Sequence, residues 1–336
     1  MEHSDNPSSA HAIKVSVVIP ALNEADSIRG LLENLLNQTV KPDEIVITDG
    51  GSTDDTAQIV EEFIASGAPV KLVRVSRSMP GRARNLAAKT ARCDWLAFTD
   101  AGITLAPDWL EALTTRRRES SADVIYGTYD PIVNSFFTEC AAIAYVPPPF
   151  EVDDELVRPR SIVSALMRRQ AWESVGGFPE DLRSAEDLLF MNRVEEAGFR
   201  MARASRARAF WQIQPNLSRT FKRFTQYSRN NTRAGLFAEW QRTIFIYYAL
   251  IAASLASVLW LGIPGVIVPP ALWLTFLIAR AVKTIYRNRK QYPAGGTRNL
   301  ARLIYVVPII ATLDAAAFIG SLNWLFRDKL RVIQSK

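Results

Sequence analysis

The stretch Trp95-Leu96-Ala97-Phe98-Thr99-Asp100-Ala101-Gly102 is an apolar run that closes on a carboxylate. Upstream, Glu44-Ile45-Val46-Ile47-Thr48-Asp49 ends the same way. A further acidic pair, Glu186-Asp187, follows the turn Gly176-Gly177-Phe178-Pro179. Short, continuously apolar runs read as strands buried on both faces of a parallel sheet. Carboxylates at the C-terminal ends of such strands line the crevice where open α/β sheets hold ligands. The pattern therefore predicts an α/β domain with an acidic crevice along one sheet edge.

Outward from these runs the alternation continues. Val15-Ser16-Val17-Val18-Ile19 is a strand closed by Pro20, and Ile28, Leu31, Leu32 and Leu35 repeat at helical spacing over 27–36. Asp26 is the expected N-cap of that helix. The turn Gly50-Gly51-Ser52-Thr53-Asp54 hands the second strand to a helix ending near Ala65. Val70–Val75 reads as a strand, Arg82–Ala91 as a helix, Asp94–Thr99 as a strand, Asp108–Arg118 as a helix, and Val124–Tyr126 as the start of a fifth strand. Strand–helix alternation predicts a mostly parallel sheet with helices on both faces. Residues 130–235 are less regular and contain Pro147-Pro148-Pro149.

Beyond Arg242 the composition changes. Thr243 to Ala279 is 37 residues without Asp, Glu, Lys or Arg. One helix of that length would span about 55 Å, against a hydrocarbon core of roughly 30 Å. A transmembrane hairpin over 243–279 follows, turning near Gly262, Pro264 and Gly265. Seven Lys/Arg and no acid fall between Arg280 and Arg302, as in a cytoplasmic juxtamembrane loop rather than a nucleic-acid site. Leu303–Phe326 is a third apolar stretch with Asp314 at its middle, either a transmembrane or a re-entrant helix. Residues 218–242 alternate aromatic and basic side chains and read as an amphipathic interfacial segment. The expected organisation is a tail (1–12), a catalytic domain (13–217), the interfacial segment (218–242), the hairpin (243–279), the basic loop (280–302), the third apolar helix (303–326) and a tail (327–336).

Several function classes are excluded. The N-terminus has no apolar signal region. Two cysteines, Cys93 and Cys140, are too few for a disulfide framework or a Cys-based zinc site. Both histidines, His3 and His11, lie in the tail, which removes His-based metal or acid/base chemistry. The turn Pro20-Ala21-Leu22-Asn23-Glu24 has no GxGxxG fingerprint, which removes a dinucleotide dehydrogenase.

Five segments together resemble one family. Val15 through Glu24 resembles the opening of glycosyltransferase family 2, the inverting GT-A fold. Ile47 through Asp54 is similar to its second signature, and Gly81-Arg82-Ala83-Arg84-Asn85 to its third. Phe98-Thr99-Asp100-Ala101-Gly102 stands where the family carries its DxD motif. Ser184-Ala185-Glu186-Asp187 stands where it carries its Glu-Asp base motif. The likeness covers roughly residues 14–235 and describes a membrane-anchored, bacterial-type member.

The resemblance implies nucleotide contacts by Pro20, Ala21, Glu24 and Asp49, with Arg82, Arg84 and Asp100 at the diphosphate. Asp100 would hold Mg²⁺ or Mn²⁺. Gly102 departs from the pattern by removing the second Asp, which leaves three routes: Asp100 with waters, a substitute residue, or weaker metal dependence. Asp187 is implied as general base and Glu186 as its partner. Gln226-Tyr227-Ser228-Arg229-Asn230 is similar to the QxxRW element of processive members, with Asn230 in place of Trp.

The expected activity is that of a hexosyltransferase-type enzyme (EC 2.4). It would move one sugar from a UDP- or GDP-type donor to a lipid-linked or polysaccharide-precursor acceptor. The expected site is the cytoplasmic face of the inner membrane, in a multi-pass chain. A non-catalytic, membrane-anchored module that kept the nucleotide cleft is the alternative that Gly102 raises.

Overall fold

The computed structural model describes residues 13–152 and 154–329. They fall into two compact units. One comprises residues up to Asp130, Glu151–Asp181 and Glu186–Trp211; the other comprises Pro131–Phe150, Leu182–Ala185 and Gln212 onward.

The first unit is built on eight strands: β1 (Val15–Ala21), β2 (Glu44–Asp49), β3 (Val70–Arg74), β4 (Trp95–Phe98), β5 (Ile103–Leu105), β6 (Val124–Ile132), β9 (Ala165–Arg168) and β10 (Met201–Gln212). Between β6 and β9, the strands β7 (Phe150–Val152) and β8 (Glu155–Val157) form a separate ribbon. The sheet order is β3-β2-β1-β4-β9-β6-β10-β5. The β3-β2-β1-β4 half is parallel, with Ala21 opposite Asp49 and Val18 opposite Phe98. Antiparallel pairing enters at β4–β9, β9–β6 and β10–β5. This is the helix-covered α/β sheet expected from the strand–helix alternation.

Alternation along each strand divides the core in two. Val15, Val17, Ile19 and Ala21 share a cluster with α1 (Ala25–Leu36), α2 (Thr56–Ala65) and α4 (Trp109–Ser120). Val18, Val46, Leu96 and Phe98 face the other way, onto α3 (Pro80–Thr90), α6 (Arg169–Ser174) and α7 (Glu186–Glu196). Strands buried on both faces have no polar side to show, which is why the runs are largely apolar, with Ser16, Glu44 and Thr48 as buried exceptions.

Two local expectations need correction. Asp26 is not the N-cap of α1: the Glu24 carbonyl accepts from Ser27 and Ile28, so the helix begins at Ala25 and Asp26 lies in its first turn. The third helix begins at Pro80 rather than Arg82, because proline suits a first turn that needs no N–H. Strand β5 is a further miss, since three residues are too short for any period to show.

The second unit is helical: α5 (Phe136–Tyr145), α8 (Leu217–Arg233), α9 (Phe237–Trp240), α10 (Arg242–Ala253), α11 (Ser257–Leu261), α12 (Val268–Arg287) and α13 (Gly296–Asn323). Among the described residues three segments are long and apolar enough to cross a membrane: Arg242–Leu261, Ile263–Arg287 and Gly296–Asp328. Gly262, at φ +64°, separates the first two. Leu259, Trp260 and Ile263 are almost fully exposed, surface that water would penalise and lipid would not.

Polar side chains tie these helices together. Asp314 is fully buried, and its Oδ2 accepts from Arg280 at 2.5 Å and Tyr248 at 2.9 Å, so each apolar segment contributes one member. A carboxylate in an apolar surrounding is costly unless paired, and these two donors supply the pairing. Glu139 on α5 is likewise held by Arg302 and Arg298 of α13. On α8, Arg229 forms a two-point ion pair with Asp328. Asn230 turns its amide back to the Gln226 carbonyl.

Candidate active site

The C-terminal ends of β2, β1 and β4 lie side by side, so the turns that follow them share one edge. The first two turns are stitched together. Asn23 donates its backbone N–H to the Ser52 hydroxyl at 2.9 Å and accepts from the Thr53 N–H at 2.8 Å. The Glu24 N–H donates to Thr56 Oγ1 at 2.7 Å, and the Gly50 N–H to the Ala21 carbonyl at 2.8 Å. Asp49 is buried, and its Oδ1 accepts from both the backbone N–H and the hydroxyl of Ser52. Pro20 is half-buried and Ala21 buried beside it.

The chemical centre forms around Arg84. Its side chain is 5% exposed and spans two carboxylates, with Nη2 on Asp100 Oδ1 and Nη1 on Glu186 Oε1, each at 2.7 Å. The guanidinium also lies 5.5 Å from the centre of the Phe178 ring. Burial works against its charge, but Asp100, Glu186 and Asp187 more than offset that. Arg84 thus spends donors on both carboxylates, whereas Arg82 on the same turn of α3 is exposed.

Glu186 and Asp187 open α7, where the helix dipole favours negative charge. They differ in access. Glu186 is buried, and its second oxygen has no hydrogen-bond partner among the described residues. Asp187 is half-buried and accepts from the Leu188 N–H at 2.9 Å. Burial, reinforced by the Asp187 charge, pushes the Glu186 carboxyl up to about 7. Burial raises the Asp187 carboxyl as well, against the pull of Arg84. The two adjacent carboxyls both feel the Arg84 charge, and only Glu186 is bonded to it, so their titrations are linked. Only Asp187 combines this with access. Ala185, just before the pair, sits at φ +72°, a cost for a residue with a Cβ and a mark of a constrained turn.

Asn85 positions the loop that leads to the pair. Its amide donates to the Phe178 carbonyl and Glu180, and its Oδ1 accepts from the Phe178 N–H and Trp172 Nε1. Gly177 sits at φ +73°, and a Cβ there would meet Asn85 Oδ1 at 2.6 Å. Gly81 admits the loop to α3, since a Cβ would fall 2.0 Å from the Pro179 carbonyl. Asn85→Ala leaves buried groups on Phe178 and Trp172 without partners. We expect it to cost on the order of 3 kcal/mol, read as a lower thermal midpoint of the detergent-solubilised chain.

The donor chemistry suits a hard divalent cation. Among the described residues no three His, Cys, Asp or Glu side chains form a metal cage. Mg²⁺ is usually bound by one or two carboxylates plus substrate phosphates, so a full cage is not required. Asp100, with a third of its side chain exposed and one oxygen held by Arg84, fits that role. Glu24 lies close by: a Cβ at Gly102 would meet Glu24 Oε2 at 3.6 Å.

Sequence reasoning missed the Arg84 bridge, Trp172 as a partner of Asn85, and the approach of Glu24 to Gly102. Each depends on pairs far apart in the chain. The one available signal was the small-residue pattern around Gly81 and Gly177.

Comparison with known proteins bears on the fold that carries these residues. Residues 16–171 match the family described as Glycosyl transferase family 2. The succinoglycan biosynthesis protein ExoA of Rhizobium meliloti is 26% identical over 294 residues, 82% of this chain and 87% of that protein. The uncharacterized glycosyltransferase YibD of Escherichia coli is 33% identical over 111 residues, a match spanning 33% of this chain and 32% of YibD. The mannosyltransferase PcManGT of Pyrobaculum calidifontis, solved with GDP-Man and Mn²⁺, shares the fold with a TM-score of 0.55 at 18% identity, covering 95% of this chain and 89% of that one.

Proposed function

We propose, from the match of residues 16–171 to Glycosyl transferase family 2, that the chain is an inverting enzyme moving a single sugar from a UDP- or GDP-type donor to a lipid-linked or polysaccharide-precursor acceptor. The observation that carries the reading is that Arg84 bridges Asp100 to Glu186, the neighbour of the half-buried Asp187. With Asp187 as general base, it takes the acceptor hydroxyl's proton as the new bond forms at the anomeric carbon. The diphosphate leaves from the opposite face, so the centre inverts. The turns at Pro20–Glu24 and Asp49–Asp54 hold base and ribose, and exposed Arg82 offers positive charge to the diphosphate. A divalent cation held at Asp100 would neutralise the leaving group when bound.

Single transfer, rather than processive synthesis, is supported by Asn230, which offers an amide tied to its own helix where processive members carry an aromatic ring. A lipid-linked acceptor and an inner-membrane location are supported by the three apolar helices and the basic segment between Arg280 and Arg302. That charge bias favours a cytoplasmic loop, and with it a cytoplasmic catalytic domain. The proposed functional boundaries remain a catalytic domain over 13–217 and an interfacial segment over 218–242.

The test is a screen of UDP- and GDP-sugars with the full chain in membrane extract, read by mass spectrometry of the lipid fraction. A donor-dependent mass gain that disappears with Asp187→Asn supports the reading. No gain with any donor, or the same gain with the variant, rejects it.

A further inference from the structure

We infer that Glu24 supplies the carboxylate that residue 102 lacks, so that Glu24 and Asp100 together hold the divalent cation on the donor's diphosphate. The inference deepens the nucleotide-sugar reading above and rests on it.

Position 102 is exposed and bears no side chain. A Cβ built there meets one atom within 4 Å, Glu24 Oε2 at 3.6 Å. A side chain borne by residue 102 would therefore stand in van der Waals reach of a carboxylate that is already present. With glycine at 102, Glu24 still places a carboxylate beside the turn.

Glu24 is also held as a ligand must be. Its N–H is fixed by Thr56, its carbonyl accepts from Ser27 and Ile28 at the start of α1, and its Oε2 accepts from the Ser27 hydroxyl at 2.6 Å. Asn23, at φ +55°, is locked to Ser52 and Thr53, so the turn has little freedom to swing away. Asp100 is oriented from behind by Arg84, which takes Oδ1 and leaves the other oxygen.

Charge balance favours a cation here. Asp100 and Glu186 share the one guanidinium of Arg84, and Glu24 lies against the turn that Asp100 opens. The surplus negative charge would repel a diphosphate unless a cation stood between them. Two hard oxygen donors plus phosphate oxygens are a normal Mg²⁺ or Mn²⁺ set.

The test is Mn²⁺ binding to the full chain in detergent, followed by electron paramagnetic resonance with UDP as the nucleotide probe, so that no turnover is needed. Glu24→Gln is expected to weaken UDP-dependent Mn²⁺ binding by about 10–100-fold. Adding Gly102→Asp to that variant is expected to restore most of it, because the carboxylate returns from the other turn. Unchanged Mn²⁺ binding in Glu24→Gln overturns the inference. So does equal weakening in the single and double variants, or a loss of UDP affinity in Glu24→Gln that is the same without Mn²⁺. Wild-type chain that binds UDP and transfers sugar without retaining Mn²⁺ overturns the inference but leaves the transferase reading standing. Failure to bind any nucleotide removes both.

Discussion

Asp187→Asn is expected to lower kcat by about 10²–10⁴-fold, the usual contribution of a positioned general base. The substitution keeps size and the hydrogen bond from Leu188 but removes the proton acceptor. Donor KM should move little, since the nucleotide contacts proposed above lie on the β1 and β2 turns. Glu186→Gln should have a smaller effect on kcat, because Glu186 is buried and faces Arg84 rather than solvent. The pH profile separates the two. The pair accepts the acceptor's proton only when ionised, so kcat should rise with pH along a limb above the ordinary carboxylate range. Burial raises both groups and places Glu186 near 7. Glu186→Gln removes the neighbouring negative charge and should shift that limb to lower pH. The sign for stability is the reverse. A carboxyl whose native pKa is raised binds its proton more tightly folded than unfolded. Its contribution is therefore present below about 4.5 and lost as pH rises toward 7. A kcat profile flat between those values would remove the pair from the chemistry.

Arg84→Met is expected to be the most damaging single change to the fold. Breaking a buried ion pair from one side costs about 3–5 kcal/mol, because the remaining charge is left uncompensated. Here two carboxylates are left, one of them on the almost fully buried Glu186. At about 2–4 °C per kcal/mol for a domain of this size, the thermal midpoint should fall by roughly 10 °C. Pairing the change with Glu186→Gln should recover a large part of the loss, since no buried charge then remains at Glu186. Arg84→Lys should not rescue, because one ammonium cannot reproduce a planar fork that reaches two carboxylates in fixed directions. An Arg84→Met protein with unchanged stability would mean that the bridge contributes nothing to the fold.

The regular elements were legible because their signals are local. Continuous apolar runs at Val15–Ile19 and Glu44–Thr48 are what strands covered on both faces must look like. The Ile28, Leu31, Leu32 and Leu35 repeat is what a one-sided helix must look like. Errors fell where local signals compete or vanish. Asp26 is a good capping residue type, but backbone bonds from Ser27 and Ile28 to Glu24 start α1 earlier. Strand β5 is too short to register any period, and the antiparallel members β9 and β10 lie in a stretch that reads as irregular because their partners are distant.

The same division applies to the site. The sequence by itself determined which acids would stand at strand ends: Asp49, Asp100 and, at the start of a helix, Glu186 and Asp187. It also determined that three apolar stretches would seek a non-aqueous surrounding, since length and hydropathy are properties of the chain. Only the tertiary structure decided that Arg84 reaches Glu186 across 102 residues of chain while also holding Asp100, that Asn85 braces Phe178, and that Glu24 stands against Gly102. The physical reason is that a strand or helix is specified by a repeat within its own few residues. A salt bridge or a shared carboxylate site is specified by where two folded elements meet, and no periodicity in either segment encodes that meeting.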